Sequence, residues 1–420
     1  MKRLIVKGGK KLFGTVRVPV GKNAALPIIA ASLMLDGETQ IKDCPKLSDI
    51  YASAEIINSL GCVASPEPGV LSVLYKEGEE REISRELCQR MRSSILYIAP
   101  MLYRRGKIAF FSPGGCSIGK RPIDIHLGGL KALGAEIFEE GNRIEITAKD
   151  GFKGAIYKLR VPSVGATQTL VMAAAVAEGV TVLKNCAKEP EVVDLIRFLN
   201  LAGAKIIGAG RGEIVIRGVG GLKAMEYTPI ADRIFAATVL SGISACKGAC
   251  VLKNYPQEHM KTLEEKLGKT GLHVWHFITT AYAFKLFDKG CYIDTHTGYY
   301  PGFPTDMGPL LSAAMIKNSG RLRLKETVFE NRFSYKGAFE ALGARCKIEN
   351  DSYTQTGGRA LKDAKLTALD LRAGAAIVIG ALAQKRKFEI YGIEYIDRGY
   401  ESIEATFGKL GADIRREIVG

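Results

Sequence analysis

Six apolar runs recur along the chain, and each is followed at a nearly constant distance by a glycine. The runs are ALPIIAASLML from Ala25, ILYIAPMLY from Ile95, TQTLVMAAAVA from Thr167, IFAATVLSGI from Ile234, PLLSAAMI from Pro309 and AGAAIVIGALA from Ala373. They are apolar nearly all round, which predicts helices enclosed within a domain rather than laid on a surface. Their bias toward Ala, Ser and Gly lets such helices approach one another closely. Some 34–39 residues after each run begins comes a short motif, mostly Leu-Gly-Ala, followed by alternating residues. Its glycines are Gly61, Gly134, Gly203, Gly271, Gly343 and Gly411, separated by 73, 69, 68, 72 and 68 residues. Each glycine ends an amphipathic helical pattern (YASAEIINSL, EVVDLIRFLN, SIEATFGKL) and opens a strand pattern. That is the signature of a helix-terminating residue with positive φ.

Between run and glycine lie a short β-like segment and a turn, as in ETQIKDCPKLSD, VTVLKNCAKEPE and FEIYGIEYIDRG. The repeating unit is therefore strand, buried helix, strand, amphipathic helix, strand, with a further strand where room allows. Six copies of about 70 residues predict a mixed α/β (α+β) architecture with helices inside and sheets outside. A stacked solenoid would also repeat, but helices apolar on all sides favour closed domains, naturally three units in each. Candidate linkers are TVRVPVGKN near residue 20 and AMEYTPIADR near residue 230.

Composition narrows the class. With 420 residues, 47% hydrophobic and 25% charged, the chain can bury more than one core. No apolar run reaches the roughly 20 residues of a membrane-spanning helix. The start, MKRLIVKGGKKLFG, lacks the apolar stretch and cleavage site of a signal peptide. Nine cysteines without pairing fit a reducing cytoplasm. The net charge of +15 leaves nucleic acid, an anionic membrane or anionic small molecules as partners. Nucleic-acid motifs are missing, since there is no aromatic RNP pattern and no basic helix. Metal binding has little support: the five histidines form no HExxH, and Cys246-x₃-Cys250 has no second pair at zinc spacing.

The residues just before the buried runs carry the chemistry. They are Lys22-Asn23, Arg92-Ser93-Ser94, Ser163-Val164-Gly165, Asp232-Arg233, Thr305-Asp306 and Asp370-Leu371-Arg372. In a six-fold repeat these positions are equivalent, so within a domain they gather at one end. Helix starts offer unpaired N–H groups and partial positive charge, which suit phosphate. Taken singly, each could equally be a cap or a solvated charge. Residues 112–126, SPGGCSIGKRPIDIH, break the repeat with three glycines around Cys116, then Lys120 and Arg121. Gly114 to Lys120 superficially matches a P-loop, but Arg121 stands where the Mg²⁺-binding hydroxyl belongs, which excludes that reading. A cysteine in a cationic, glycine-lined loop is instead placed for a lowered thiol pKa. Asp306 follows a Pro-Gly-Phe-Pro-Thr turn as a cap or a general base. Arg398, in YIDRGY, lies between a strand and the last helix.

These motifs together resemble the enolpyruvyl transferases, in the form that acts on UDP-N-acetylglucosamine. The likeness runs from GKNAALPI through MRSSI, PGGCSIGKRPIDIH, PSVGATQT, AKEPEVVDL, ADRIF, PGFPTDM, ETVFENRF and DLRAGAAIV to IDRGYESIEATFGKLGA, nearly the whole chain. The resemblance implies two domains of three βαβαββ units each, an inside-out α/β barrel arrangement. Residues 22–229 would form one domain, 1–21 with 230–420 the other, and the active site would lie in the cleft between them. It implies transfer of enolpyruvate from phosphoenolpyruvate to the sugar 3′-hydroxyl, with phosphate released. Cys116 matches the general acid and Asp306 the base. Lys22, Arg121 and Arg398 match cations that hold phosphate and carboxylate, and Asn23 a hydrogen-bonding partner of the intermediate. Arg92, Asp370 and Arg372 match further substrate-binding groups. Arg121, Pro122, Ile123, Asp124, Ile125, Ser163, Val164, Gly165 and Val328 match contacts to the nucleotide sugar. It further implies two small-molecule substrates, no metal or cofactor, no nucleic-acid or membrane partner, and a monomer. A rival within the family is the shikimate-phosphate enzyme, which would not be expected to carry the Gly-Gly-Cys loop. A rival from another class is a non-catalytic binding paralogue, which has no need of an acid–base pair. The chain departs from the family pattern at VPVGKN, at Gly308 where Gln is common, at Phe235 where Glu is frequent, and at DTHTGYY.

Overall fold

The computed structural model describes residues 2–112 and 122–418. The chain forms two compact units: one runs from Val20 to Ile230, and the other joins the residues up to Pro19 with those from Ala231 onward. Sheets lie outside and helices inside in each, the mixed α/β arrangement expected from the runs.

In the unit that begins at Ala231, three four-stranded sheets share one topology. Leu12–Arg17 pairs parallel with Gly248–Lys253, which pairs antiparallel with Thr280–Lys285, which pairs antiparallel with the edge strand His273–Phe277. The same order relates Tyr292–His296, Arg321–Lys325, Ser352–Thr356 and Arg345–Glu349. It recurs in Ala364–Thr367, Lys387–Tyr391, Lys2–Lys7 and Asp413–Ile418, so the N-terminal strand completes the last repeat. Behind these sheets lie the helices Arg233–Cys246, Gly308–Ala314 and Leu371–Ala383. Every residue of the first two is buried, and each of the three packs against the other two. All-round burial follows from all-round apolarity.

The unit from Val20 repeats the plan with two full sheets and one shortened one. Glu226–Tyr227, Thr39–Lys42, Val70–Leu74 and Val63–Glu67 form one sheet, and Ile156–Lys158, Val180–Lys184, Glu213–Arg217 and Lys205–Ile207 a second. Lys107–Phe111, Arg143–Thr147 and Glu136–Glu140 form the third, where a parallel bridge from Glu82 to Ala109 stands in the place of the first strand. The buried helices are Lys22–Ser32 and Val164–Ala175, together with a segment that is 3₁₀ over Arg92–Tyr97 and α-helical over Ile98–Arg105. The run at Ile95 thus splits into two helical forms. All six repeat glycines adopt positive φ, between 70° at Gly61 and 111° at Gly203. This conformation strains any residue with a Cβ, so the sequence motif is a backbone requirement.

Candidate functional site

In the unit from Ala231, charged residues stand at or beside the starts of three buried helices, and one carboxylate sits among cations. Asp306 lies in a single 3₁₀ turn, Thr305–Met307, directly before the helix Gly308–Ala314. Pro304, not Asp306, holds the capping position of that turn, so the carboxylate does not serve as its cap. Arg372 Nε donates to Asp306 Oδ2 at 2.9 Å, and its terminal nitrogen reaches the same oxygen at 2.9 Å. Arg332 donates to Oδ1. The two guanidinium side chains are 3% and 8% exposed for Arg332 and Arg372, whereas Asp306 keeps 29%. Burial would push the Asp306 carboxyl up; the charges of Arg372, Arg332 and then Arg233 outweigh it and hold it well below the usual carboxylate range. Desolvation works against the Arg372 charge, but Asp306, Tyr400 and Asp232 together outweigh it, so that group stays cationic.

The surrounding residues fix this geometry. Asp370 caps the helix Leu371–Ala383, accepting from the Arg372 and Ala373 amides at 2.9 Å each, and takes a hydrogen bond from the Ser334 hydroxyl at 2.7 Å. Its carboxylate is therefore engaged in positioning Arg372, a role the substrate-binding assignment did not foresee. Asp232 caps the helix Arg233–Cys246 through the Ile234 and Phe235 amides. The buried Glu326 accepts from the Thr297 and Thr305 hydroxyls at 2.8 and 2.9 Å and from the Val328 amide at 2.8 Å. One carboxylate thus ties the turn carrying Asp306 to the loop carrying Val328. Arg398 sits in the turn after the short helix Ile393–Ile396, partly buried.

In the unit from Val20, Lys22 opens the helix Lys22–Ser32 and Asn23 follows it, exposed. A lysine at a helix start opposes the helix dipole. Asp49, in the first turn of the helix Ser48–Ser59, compensates by accepting from Lys22 Nζ at 2.9 Å, with both side chains buried. Arg92 begins the 3₁₀ segment Arg92–Tyr97, against which the helices Lys22–Ser32 and Val164–Ala175 both pack. Ser163 caps the latter helix through the Ala166 amide. Gly165 lies so close to His126 that a Cβ there would stand 3.0 Å from the ring, so it brings bare backbone to the helix Asp124–Ala132. Asp124 is exposed and paired with Arg160 at 3.0 Å, Pro122 is exposed, and Ile123 and Ile125 are buried. Cys116 and Arg121 lie outside the described residues. Among the described cysteines, burial pushes the thiols of Cys62, Cys88, Cys291 and Cys346 up, and those of Cys186, Cys246 and Cys250 up to about 12.

Sequence reasoning missed Arg332, Asp49 and Glu326. Arg332 and Glu326 stand within ETVFENRF, where the motif was visible but no role was attached. Asp49 reads as an ordinary first-turn acid of a surface helix, and only its burial against Lys22 marks it.

The comparisons with known proteins agree with one another. The family model described as EPSP synthase (3-phosphoshikimate 1-carboxyvinyltransferase) matches residues 6–407. The chain is 38% identical over 418 residues to a UDP-N-acetylglucosamine 1-carboxyvinyltransferase from Endomicrobium trichonymphae, with 99% of each chain covered. It is 40% identical over 417 residues to UDP-N-acetylglucosamine 1-carboxyvinyltransferase 2 from Carboxydothermus hydrogenoformans, again with 99% of each covered. Among solved structures, the enolpyruvyl transferase NikO from Streptomyces tendae superposes with a TM-score of 0.87 at 22% identity, covering 99% of this chain and 98% of that one. EPSP synthase from Acinetobacter baumannii gives 0.78 at 18% identity over the full length of both. These two likenesses concern the fold.

Proposed function

We propose that this chain, which belongs to the EPSP synthase family of enolpyruvyl transferases, transfers the enolpyruvyl group of phosphoenolpyruvate to the 3′-hydroxyl of UDP-N-acetylglucosamine and releases phosphate. That is the first committed step of peptidoglycan synthesis, and we place it in the cytoplasm, carried out by a monomer. The observation that carries the reading is full-length identity of 38–40% to relatives named for this reaction, joined to a carboxylate set among arginines where the family pattern expects its base.

The chemistry is addition followed by elimination. In the addition, the sugar oxygen bonds to C2 of phosphoenolpyruvate, C3 gains a proton, and the hydroxyl proton leaves. We assign proton delivery to Cys116 and proton removal to Asp306. A carboxylate held as low as Asp306 is a weak base toward a free alcohol. It becomes adequate only as the forming C–O bond makes the hydroxyl acidic, so its proton transfer falls late in that step. In the elimination, the C3 proton departs, the C2–O bond to phosphate breaks, and phosphate leaves with the bonding pair. Lys22, Arg121 and Arg398 are assigned to the phosphate and carboxylate of the donor, with Arg92 and Arg372 as further anion contacts. Asn23 is assigned to the tetrahedral intermediate. Residues Pro122 to Ile125, Ser163 to Gly165 and Val328 are assigned to the nucleotide sugar. The Val328 amide already donates to Glu326, which leaves its carbonyl and side chain for that contact.

Phosphate release from phosphoenolpyruvate, with UDP-N-acetylglucosamine and shikimate-3-phosphate offered separately, tests the reading. Release with the first alone is expected. Release with shikimate-3-phosphate alone, or with neither on folded protein, would overturn it.

A further inference from the structure

The three equivalent sheets of the unit that begins at Ala231 differ sharply on their outer faces. On the sheet of Arg321–Lys325, the outward positions carry Arg321, Arg323, Lys325, Arg345, Lys347, Asp294 and Glu349, with ion pairs Arg323–Asp294 and Lys347–Glu349. On the sheet of Lys2–Lys7, Arg3 pairs with Glu389 and Glu417 across the same kind of face. The third sheet breaks the pattern. Register places His273, Trp275 and Phe277, then Phe284, Tyr282 and Thr280, then Ala249, Val251 and Lys253, then Phe13, Thr15 and Arg17, on one outward surface. These twelve positions hold no carboxylate. Trp275 and Phe277 are 67% and 66% exposed, Phe13 is 57%, and the exposed Ile278, Leu286 and Phe287 extend the apolar strip at both ends of the hairpin. Trp275 packs edge-on against Phe284, whose ring also stacks on His273.

Contiguous apolar surface of this kind marks an interaction face, because two sister sheets built on the same plan keep theirs charged. We propose that this sheet face rests on an anionic lipid surface, holding the enzyme at a membrane without inserting a helix. This departs from the expectation of no membrane partner that the family resemblance implied. The charge of the face selects lipid over a second copy of the chain, because it carries cations and no carboxylate to meet them. The side chains are also those that suit a headgroup boundary: Trp and Tyr with apolar bodies and polar tips, and Lys253 with Arg17 at one end to meet anionic headgroups.

Trp275 is the chain's only tryptophan, so intrinsic emission reports on this face alone. The full-length protein is titrated with vesicles of phosphatidylcholine containing phosphatidylglycerol, and with pure phosphatidylcholine. A blue shift of Trp275 emission and co-sedimentation with the anionic vesicles are expected. Lys253→Gln with Arg17→Gln should weaken partitioning about thirtyfold, from two cations near the surface. Phe277→Ser with Ile278→Ser should abolish it while leaving phosphate release intact. Emission unchanged by either vesicle would overturn the proposal, and so would equal binding to both. A blue shift that follows protein concentration in lipid-free buffer would likewise overturn it, in favour of self-association. The parent chain's emission decides the matter even where a variant fails to fold.

Discussion

Replacing Asp306 by Asn separates the catalytic from the structural part of the arginine cluster. The carboxylate sits between Arg372, at 2.9 Å, and Arg332, both almost fully buried. Breaking a buried pair costs about 3–5 kcal/mol, because it strands the remaining charge. Here Asp306 keeps 29% exposure, so water takes up part of the loss, and about 2–3 kcal/mol is expected. The Asn amide can accept from one guanidinium but opposes the other with its NH₂. Loss of a positioned base should lower kcat by about 10²–10⁴-fold. The same substitution leaves the arginines in excess, so anions should bind more tightly, and inorganic phosphate should raise the melting temperature of the variant more than that of the parent. The pH dependence has a definite sign. Asp306 titrates lower in the folded than in the unfolded chain, so its stabilisation is complete above the ordinary carboxylate pKa of about 3.9 and fades as pH falls toward the folded value. The Asn variant should lack that acid-side loss. Steady-state phosphate release and thermal unfolding with and without phosphate measure all three effects. A kcat within a few-fold of the parent would remove Asp306 from the role of base, and a smaller phosphate-induced shift would refute the charge argument.

Three further outcomes follow from other parts of the molecule. A small electrophile should label one thiol rapidly, with the fast phase abolished by Cys116→Ser, because burial raises the thiols of seven of the eight other described cysteines and the eighth, Cys44, is itself buried; rapid labelling that survives the substitution would move the reactive cysteine elsewhere. Lys22→Met combined with Asp49→Leu should recover most of the stability lost by Asp49→Asn, since an apolar pair of similar size avoids the desolvation penalty, yet phosphate release should stay abolished; recovery of both would make the ion pair purely structural. Among the repeat glycines, Gly203→Ala should cost about 1–2 kcal/mol of backbone strain alone, whereas Gly343→Ala should cost visibly more, because its Cβ would stand 2.3 Å from the Arg359 backbone while Gly203 has open space; denaturant unfolding compares them.

The repeat was legible because its two signals are local. A helix apolar on every face and a glycine at positive φ are each written in a few adjacent residues; the glycine held in all six units, and the helix in five, with the run at Ile95 divided between 3₁₀ and α forms. The order of elements in a unit followed from the repeat, but the pairing of strands within each sheet did not. Nothing in KRLIVK says that it pairs with Lys387–Tyr391, some 380 residues on. The sequence places Lys22, Asp306 and Arg372 at or just before the starts of buried helices, and the structure has them there. The site was not legible where the requirement is a partner brought from another element. Arg332 meets Asp306 across 26 residues and Asp49 meets Lys22 across 27, distances over which a lone sequence carries no pairing information. Asp370 shows the converse. Its place in the motif suggested a ligand contact, while its caps on the Arg372 and Ala373 amides and its bond from Ser334 appear only in the fold.

The two departures at helix starts gain a physical reading from this cluster. Gly308 opens the helix after Asp306, and a Cβ there would come within 3.0 Å of the Leu324 side chain. A larger residue thus requires Leu324 to shift, and glycine lets the Asp306 turn lie closer to the sheet. Phe235 sits in the first turn of the helix that Asp232 caps, buried, with its ring 6.2 Å from that of Tyr400. Tyr400 in turn shares a 2.6 Å hydrogen bond with Thr238 on the same helix. The aromatic packing therefore ties the helix starting at Arg233 to the chain just past Arg398. A glutamate at 235 would place a carboxylate against the buried Tyr400, whose hydroxyl burial already holds in its neutral form. It would also set a second acid beside the cations that now serve Asp306. Restoring the family's usual residue with Phe235→Glu should therefore lower stability and weaken phosphate binding together. A variant that gained phosphate affinity would show that the aromatic contact, and not the charge count, governs this end of the unit.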